Sequence, residues 1–382
     1  MSSTRPAPSR ALALRGLFAD AIYQVLDNRV FRVLIALSLL PILLTFLIGL
    51  KEESISVLFG VWTFDYPAMS ELLGDDPRPV AIEWLLDIVI DGFVGNIGMT
   101  LSVAATAFFV PRMLEKGAAD LVFVKPLSRW TLYLSRYVTG LVFVALLGIF
   151  LTGGIYLGLL FVSGYNAPEV LWSSLTLVYL FGMIHAVTML IGVYTRSTSA
   201  AMILGIVFFF GNGCVHQTWQ VKDQAGHLLI EQMESASTDP EAEAEVHEAK
   251  GTTPWIGLVK GIYFAVDCVH FVLPKTSDAT LVNLHVQDAV FGSGRLATRA
   301  KMEQAAMEDF DRDMDDARSR KDSQGGPPEG LNSETLGETF ESKFAWDAEE
   351  TRYSVWFSIL SSMAFTGLML LLGMWKLRRS DF

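Results

Sequence analysis

Six long apolar runs constrain the fold of this chain more than any other feature. They lie at 31–50, 85–110, 134–162, 170–194, 200–219 and 353–375. A helix needs about 20 apolar residues to cross the hydrocarbon core of a bilayer, and each run is long enough. Hydrophobic residues make up 51% of the 382 residues, and the mean hydropathy is +0.38. The sequence therefore predicts an all-α polytopic membrane protein with six transmembrane helices.

The connecting segments differ in charge, which predicts their sides of the membrane. The segments 1–32, 111–136, 195–199 and 376–382 together hold 14 Lys or Arg and 5 Asp or Glu, whereas loop 51–84 holds 2 and 7. Because short basic segments stay on the cytoplasmic side, both termini are expected in the cytoplasm. The predicted location is a bacterial plasma (inner) membrane.

Four regions follow from this topology. Residues 1–30 form a cytosolic N-terminus whose 11–28 stretch has the spacing of an amphipathic interfacial helix. Residues 31–219 hold spans one to five, and 353–382 hold the sixth span and a basic tail. Residues 220–352 form a long, acidic insertion, partly helical or disordered, which span parity places outside. Its apolar stretch 255–273 could be interfacial, re-entrant or spanning, and its polar residues favour a helix in the outer interface.

Ionisable residues inside apolar runs are candidates for function, because charge is costly in a bilayer. Asp87 and Asp91 lie near the outer end of the second run, where water can also reach them. His185 lies in the middle of the fourth run. It either hydrogen-bonds a neighbouring helix or serves as a ligand or proton relay. Gly154 and Gly158 have the four-residue spacing that lets two helices approach closely.

The sequence contains no motif that would supply chemistry of its own. It has no GxxxxGK[ST] loop, no GxGxxG after a strand, no HExxH and no GxSxG. Its two cysteines, Cys214 and Cys268, lack metal-ligand spacing and are either free thiols or one disulfide. Its basic residues cluster at the ends of the runs, so nucleic acid is not an expected partner. We therefore expect no enzyme, cofactor or metal site in this chain, and any ATP must be bound by another subunit.

The polar segment 111–137 between the second and third runs is too long for a tight turn and too short for a domain. Its pattern is typical of a short amphipathic helix at about 115–124, which Pro126 ends. An ordinary solvated loop is the alternative. Such a helix between two spans can be pushed from outside the membrane and can pass that push to both.

This segment resembles the cytosolic loop of the type-2 permease family of ATP-binding-cassette (ABC) transporters. The matching pieces are Glu115-Lys116-Gly117, Asp120-Leu121, Pro126-Leu127-Ser128-Arg129, and Tyr133 with Arg136. The 11–28 stretch is similar to the family's N-terminal elbow helix. The basic tail at 377–382 is similar to the family's C-terminus.

The resemblance implies a permease that exports a substrate, paired with a second permease chain as a homodimer or heterodimer. ATP and Mg²⁺ would be held by a separate ABC ATP-binding subunit, and membrane lipid would surround the spans. A coupling helix at 113–126 would dock on that subunit. The residues expected at the contact are Glu115, Lys116, Gly117, Asp120, Leu121, Pro126, Ser128 and Arg129. Two alternatives are an ABC-type complex that does mechanical or signalling work without transport, and a membrane-anchored scaffold or receptor with no ATPase partner.

Overall fold

The computed structural model describes residues 29–51, 54–58, 60–65, 82–83, 85–114, 128–237, 265–266, 268–276, 279–292 and 355–379, and the isolated positions 16, 19, 23, 27, 294 and 297. Most of these residues are helical. Six helical segments are long and apolar enough to cross a membrane: Arg29–Leu47, Ile88–Met113, Arg129–Ser163, Pro168–Thr195, Thr198–His216 and Val355–Arg379. The described residues therefore contain six candidate membrane-spanning helices, as the sequence predicts and as is typical of a membrane-embedded protein.

The described residues form eight α-helices. They are α1 (Arg29–Leu47), α2 (Met99–Thr106), α3 (Phe109–Met113), α4 (Arg129–Gly158), α5 (Ser173–Thr195), α6 (Thr198–Ser237), α7 (Ala279–Phe291) and α8 (Val355–Arg379). A π-helix (Asp87–Gly98) precedes α2, a π-helical turn (Leu159–Ser163) extends α4, and a 3-10 helix (Pro168–Trp172) precedes α5. The amphipathic helix expected at 11–28 lies outside the described residues except for four positions. The coupling helix expected at 113–126 lies outside them beyond Leu114.

The prediction of an all-α fold is wrong at one place. The first span ends at Leu47, and β1 (Ile48–Leu50), β2 (Ser54–Val57) and β3 (Trp62–Asp65) form an antiparallel sheet in the order β1-β2-β3. The sheet is fixed to the end of the third span, because the buried Leu50 amide donates to the Ser163 hydroxyl at 3.0 Å. Residues 48–50 continue the apolar run of the first span, so hydropathy alone cannot separate the strand from the helix.

The fourth span lies at the centre of the bundle. Of its most apolar window 67% is buried, against 11% for the sixth span, and it packs against the second, third, fifth and sixth spans. The first span packs against the third at Gly154 and Gly158. A Cβ at Gly154 would lie 2.5 Å from Ile42, and one at Gly158 would overlap Thr45. The close approach predicted from these two glycines is confirmed.

Two buried apolar clusters mark the two ends of the bundle. At one end, residues from the second, third, fourth and sixth spans pack together: Val110, Met113, Leu114, Leu132, Tyr133, Met189, Val193, Met374 and Leu377. We call this the basic end, because Arg112, Arg129, Arg196 and Lys376 adjoin the cluster in the chain. At the opposite end, the first, second and third spans pack with the sheet and with the segment before α5.

Candidate functional site

The residues predicted for the docking site fall mostly outside the described part of the chain. Glu115, Lys116, Gly117, Asp120, Leu121 and Pro126 lie outside the described residues, whereas Ser128 and Arg129 lie within them. Asp87 and Asp91 belong to the π-helix of the second span, but their side chains are not among those described.

Ser128 and Arg129 fix the start of the third span at the basic end. The Ser128 side chain caps α4 by accepting the backbone N–H of Thr131 at 3.1 Å. The Arg129 guanidinium donates to the backbone carbonyl of Leu377 at 3.2 Å. The fully buried Tyr133 packs in the same cluster one turn further on. The third and sixth spans are therefore joined directly beside the predicted docking segment.

Cations at the basic end also contact aromatic rings. The pairs are Arg112 over Phe108 (4.5 Å to the ring centroid), Lys376 over Tyr194 (5.1 Å) and Arg379 over Trp375 (4.1 Å). Such pairs hold the charged groups against the ends of the spans. These pairs place cations of the second and sixth spans against aromatic rings at the basic end.

His185 lies in the packed interior and holds three spans together. Its Nδ1 atom is 3.4 Å from the Thr106 hydroxyl of the second span, and that hydroxyl donates to the Ser102 carbonyl at 2.9 Å. The imidazole stacks between Phe181 of its own helix (4.9 Å between centroids) and Tyr137 of the third span (5.7 Å). The expected bond to a neighbouring helix is confirmed. His185 does not line the cavity described next.

A cavity of about 570 Å³ opens at the end of the bundle opposite the basic end. Its walls come from the second, fourth and fifth spans, from α7 and from the segment that leads into α7. The residues that line it are Ile90, Gly95, Asn96, Ser173, Thr176, Leu177, Leu180, Phe209, Phe210, Gly213, Cys214, Thr218, Thr276, Ala279 and Asn283. A volume of this size is typical of pockets that hold small molecules.

A hydrogen-bond network joins α5 to α7 at the cavity wall. The Asn283 amide oxygen accepts from the Thr176 hydroxyl (2.8 Å) and from the Gln287 amide (3.0 Å). The Asn283 and Gln287 amides also donate to the Ser173 hydroxyl, at 3.2 Å and 3.1 Å. Four polar side chains in a mostly apolar surrounding therefore satisfy one another and fix α7 against the bundle.

A second set of contacts fixes the segment before α7. The Asn212 amide of the fifth span donates to the Pro274 carbonyl (3.1 Å) and to the Thr276 hydroxyl (2.5 Å). The Lys275 backbone N–H donates to the Ser362 hydroxyl of the sixth span at 2.9 Å. The segment is therefore attached to the fifth span through Asn212 and to the sixth span through Ser362, which keeps Thr276 at the wall of the cavity.

The apolar stretch 255–273 is described only in part. Residues 265–266 and 268–272 are helical, and the buried His270 stacks on Trp219 of α6 at 4.2 Å between ring centroids.

The two cysteines, Cys214 and Cys268, are free and exposed, so of the two predicted alternatives the structure has free thiols and not a disulfide. Within the described part of the chain, no three His, Cys, Asp or Glu side chains come together as metal ligands.

The sequence reasoning identified His185 but missed the cavity. One signal was present, since Ala279, Asn283 and Gln287 recur every four residues and therefore share one face of α7. A small residue and two amides on one face of α7 indicate a polar contact inside the protein.

Comparison with known proteins gives one partial match. A family model described as "Protein of unknown function (DUF2705)" matches residues 77–244, less than half of the chain. The matched region includes the cavity walls from the second, fourth and fifth spans and the polar 111–137 segment, but not α7. No curated protein and no solved structure matches the chain.

Proposed function

We propose that this chain is the permease subunit of an ABC-type exporter in a bacterial plasma membrane, with both termini in the cytoplasm. Two permease chains, alike or different, assemble with separate subunits that bind ATP and Mg²⁺. The ATP-binding subunit docks at the basic end, on residues 113–129. ATP-driven movement of that subunit changes the shape of the membrane bundle.

The proposal rests on how the two ends of the 113–129 segment are attached to the helix bundle. At the start of the segment, Met113 and Leu114 are buried in the cluster at the basic end. At its end, Ser128 caps the third span and the Arg129 guanidinium donates to the Leu377 carbonyl of the sixth span. A force on the segment therefore acts on the second, third and sixth spans together, as is required of a segment that transmits movement from a docked subunit to the membrane helices.

Contacts in the interior extend this connection toward the cavity. The Tyr137 hydroxyl of the third span donates to the Gly182 carbonyl of the fourth at 3.1 Å, and the Tyr137 ring stacks on His185. The fourth span then lines the cavity at its other end with Ser173 and Thr176. An ATPase can shift this bundle between two conformations only by binding one of them more tightly than the other.

Reversing the charge of the docking segment tests the proposal. The chain is purified in mild detergent, every bound subunit is identified, and transport is measured after reconstitution with the ATP-binding subunit. The double variant Glu115→Lys with Asp120→Lys should lower the amount of bound ATPase by at least about tenfold, since like charges across an interface cost several kcal/mol.

The control is Glu303→Lys with Glu308→Lys, which makes the same charge change at the same five-residue separation in the 220–352 insertion. This control variant should still bind the ATP-binding subunit and should still transport substrate. Equal ATPase binding and coupled transport in the two double variants would remove the docking assignment. A purified chain with no ATP-binding subunit at all would favour the scaffold alternative, and a bound ATPase without any transported substrate would favour mechanical work.

A further inference from the structure

On the fourth and fifth spans, the lining of the cavity changes from polar to apolar along its depth. On the fourth span, Ser173 and Thr176 lie toward the end of the bundle, and Leu177 and Leu180 lie toward its middle. The fifth span runs the other way and shows the same change, from Phe209 near the middle to polar residues near the end. At a rise of 1.5 Å per residue, the seven steps from Ser173 to Leu180 span about 10 Å.

The polar end offers a hydroxyl donor. The Ser173 hydroxyl is fully buried and accepts from the Asn283 and Gln287 amides, so it holds the wall of the cavity together. The Thr276 oxygen accepts from the Asn212 amide, so the Thr276 hydroxyl proton is left to donate to a ligand. Among the described residues that line the cavity, no side chain is charged. This end suits a ligand head that carries oxygen acceptors, and no described lining side chain would neutralise a charge on that head.

We propose that the cavity binds an uncharged amphipathic molecule of the acylglycerol type. Its hydroxyl and ester oxygens lie against Thr276 and Asn283, and its apolar chain lies along Leu177, Leu180 and Phe209. Desolvating a charged head at this site would be costly without a charged partner, so the site discriminates against anionic lipids. That this molecule is the exported substrate rests on the proposed function, whereas its binding does not.

The two cysteines provide an internal test, because Cys214 lines the cavity and Cys268, also exposed, is not among its lining residues. The full-length chain in nanodiscs is labelled with a small methanethiosulfonate reagent, with and without monoolein. At about ten times its Kd, monoolein should slow the labelling of Cys214 roughly tenfold and leave Cys268 unchanged. Oleate at the same concentration should protect neither.

A pair of glycine variants tests the place of binding. A Cβ at Gly213 or at Gly211 meets no atom within 4 Å, but only Gly213 lines the cavity. Gly213→Leu should place a bulky side chain in the cavity beside Cys214, block the ligand and abolish the protection of Cys214. Gly211→Leu makes the same change two residues away on the same helix and should retain the protection.

A diazirine-bearing monoacylglycerol gives a second readout, with cross-links expected in residues 173–180 or 209–218. Monoolein placed in the bilayer and water-soluble monooctanoylglycerol added to the buffer distinguish a membrane source from an aqueous one. Equal protection of both cysteines, equal protection by oleate, protection retained in Gly213→Leu, or cross-links outside the cavity would each overturn the proposal. None of these measurements needs the ATP-binding subunit, so they stand apart from the test of the transporter assignment.

Discussion

Replacing Gly154 with alanine measures how closely the first and third spans pack. The added Cβ would lie 2.5, 2.6 and 2.9 Å from Cδ1, Cγ1 and Cγ2 of Ile42. Because all three atoms are too close, no rotation of the Ile42 side chain about χ2 removes the overlap. The neighbouring Gly153 has no atom within 4 Å of its Cβ position, so Gly153→Ala is a control on the same helix.

The magnitude follows from these distances. Non-bonded carbon atoms pack at about 3.5–4.0 Å, so the two helices must separate by about 1 Å. Overpacking of this kind costs about 1–3 kcal/mol. Alanine also raises helix propensity by roughly 0.5–1 kcal/mol over glycine, but both variants share that gain. The free energy of unfolding of Gly154→Ala should therefore be lower than that of Gly153→Ala by about 1–3 kcal/mol.

The assay is equilibrium unfolding of the purified chain in mild detergent, titrated with sodium dodecyl sulfate and followed by circular dichroism. Ile42→Ala removes the three clashing atoms, so the double variant Ile42→Ala with Gly154→Ala should show a favourable coupling energy of about 1–3 kcal/mol. If Gly154→Ala and Gly153→Ala agreed within about 0.5 kcal/mol, or if the coupling energy were no larger than that, the packing argument would be refuted.

Two further changes test single hydrogen bonds. Tyr137→Phe removes the donor to the Gly182 carbonyl and should lower the free energy of unfolding by about 0.5–1.5 kcal/mol in the same titration, and an unchanged value would contradict the bond. Ser128→Ala removes the cap of α4 and should cost about 0.5–2 kcal/mol, whereas Ser128→Gly should cost only a few tenths. Amide hydrogen exchange at Thr131 should be faster in the alanine variant, and equal exchange would argue against the cap.

The spans were predictable because a bilayer imposes one length on every segment that crosses it. The predicted fourth run, 170–194, differs from Pro168–Thr195 by one or two residues at each end. The predicted fifth run stopped at 219, whereas α6 continues to Ser237. That continuation is polar, so hydropathy could detect the crossing but not where the helix ends.

Among the features of the candidate functional region, the sequence predicted the buried His185 but not the cavity. His185 is an ionisable residue in an apolar run, and a polar partner on another helix is the least costly way to keep it there. The cavity combines parts of the chain from Ile90 to Asn283, nearly two hundred residues apart in the sequence. The hydrogen bond between Thr176 and Asn283 could not be inferred from either segment alone, because it depends on how α7 lies against α5.

The sequence by itself determined the six spans, the segregation of charge, the close approach at Gly154 and Gly158, and the resemblance of the 111–137 segment. These are local properties, since hydropathy, charge and glycine spacing are read within one stretch of chain. Only the tertiary structure decided the sheet after the first span, the π-helix in the second span and the central position of the fourth span. It also decided the cavity that the second, fourth and fifth spans form with α7. Strand pairing and cavity walls need partners from distant segments, and the energies that select those partners exist only once the helices are packed.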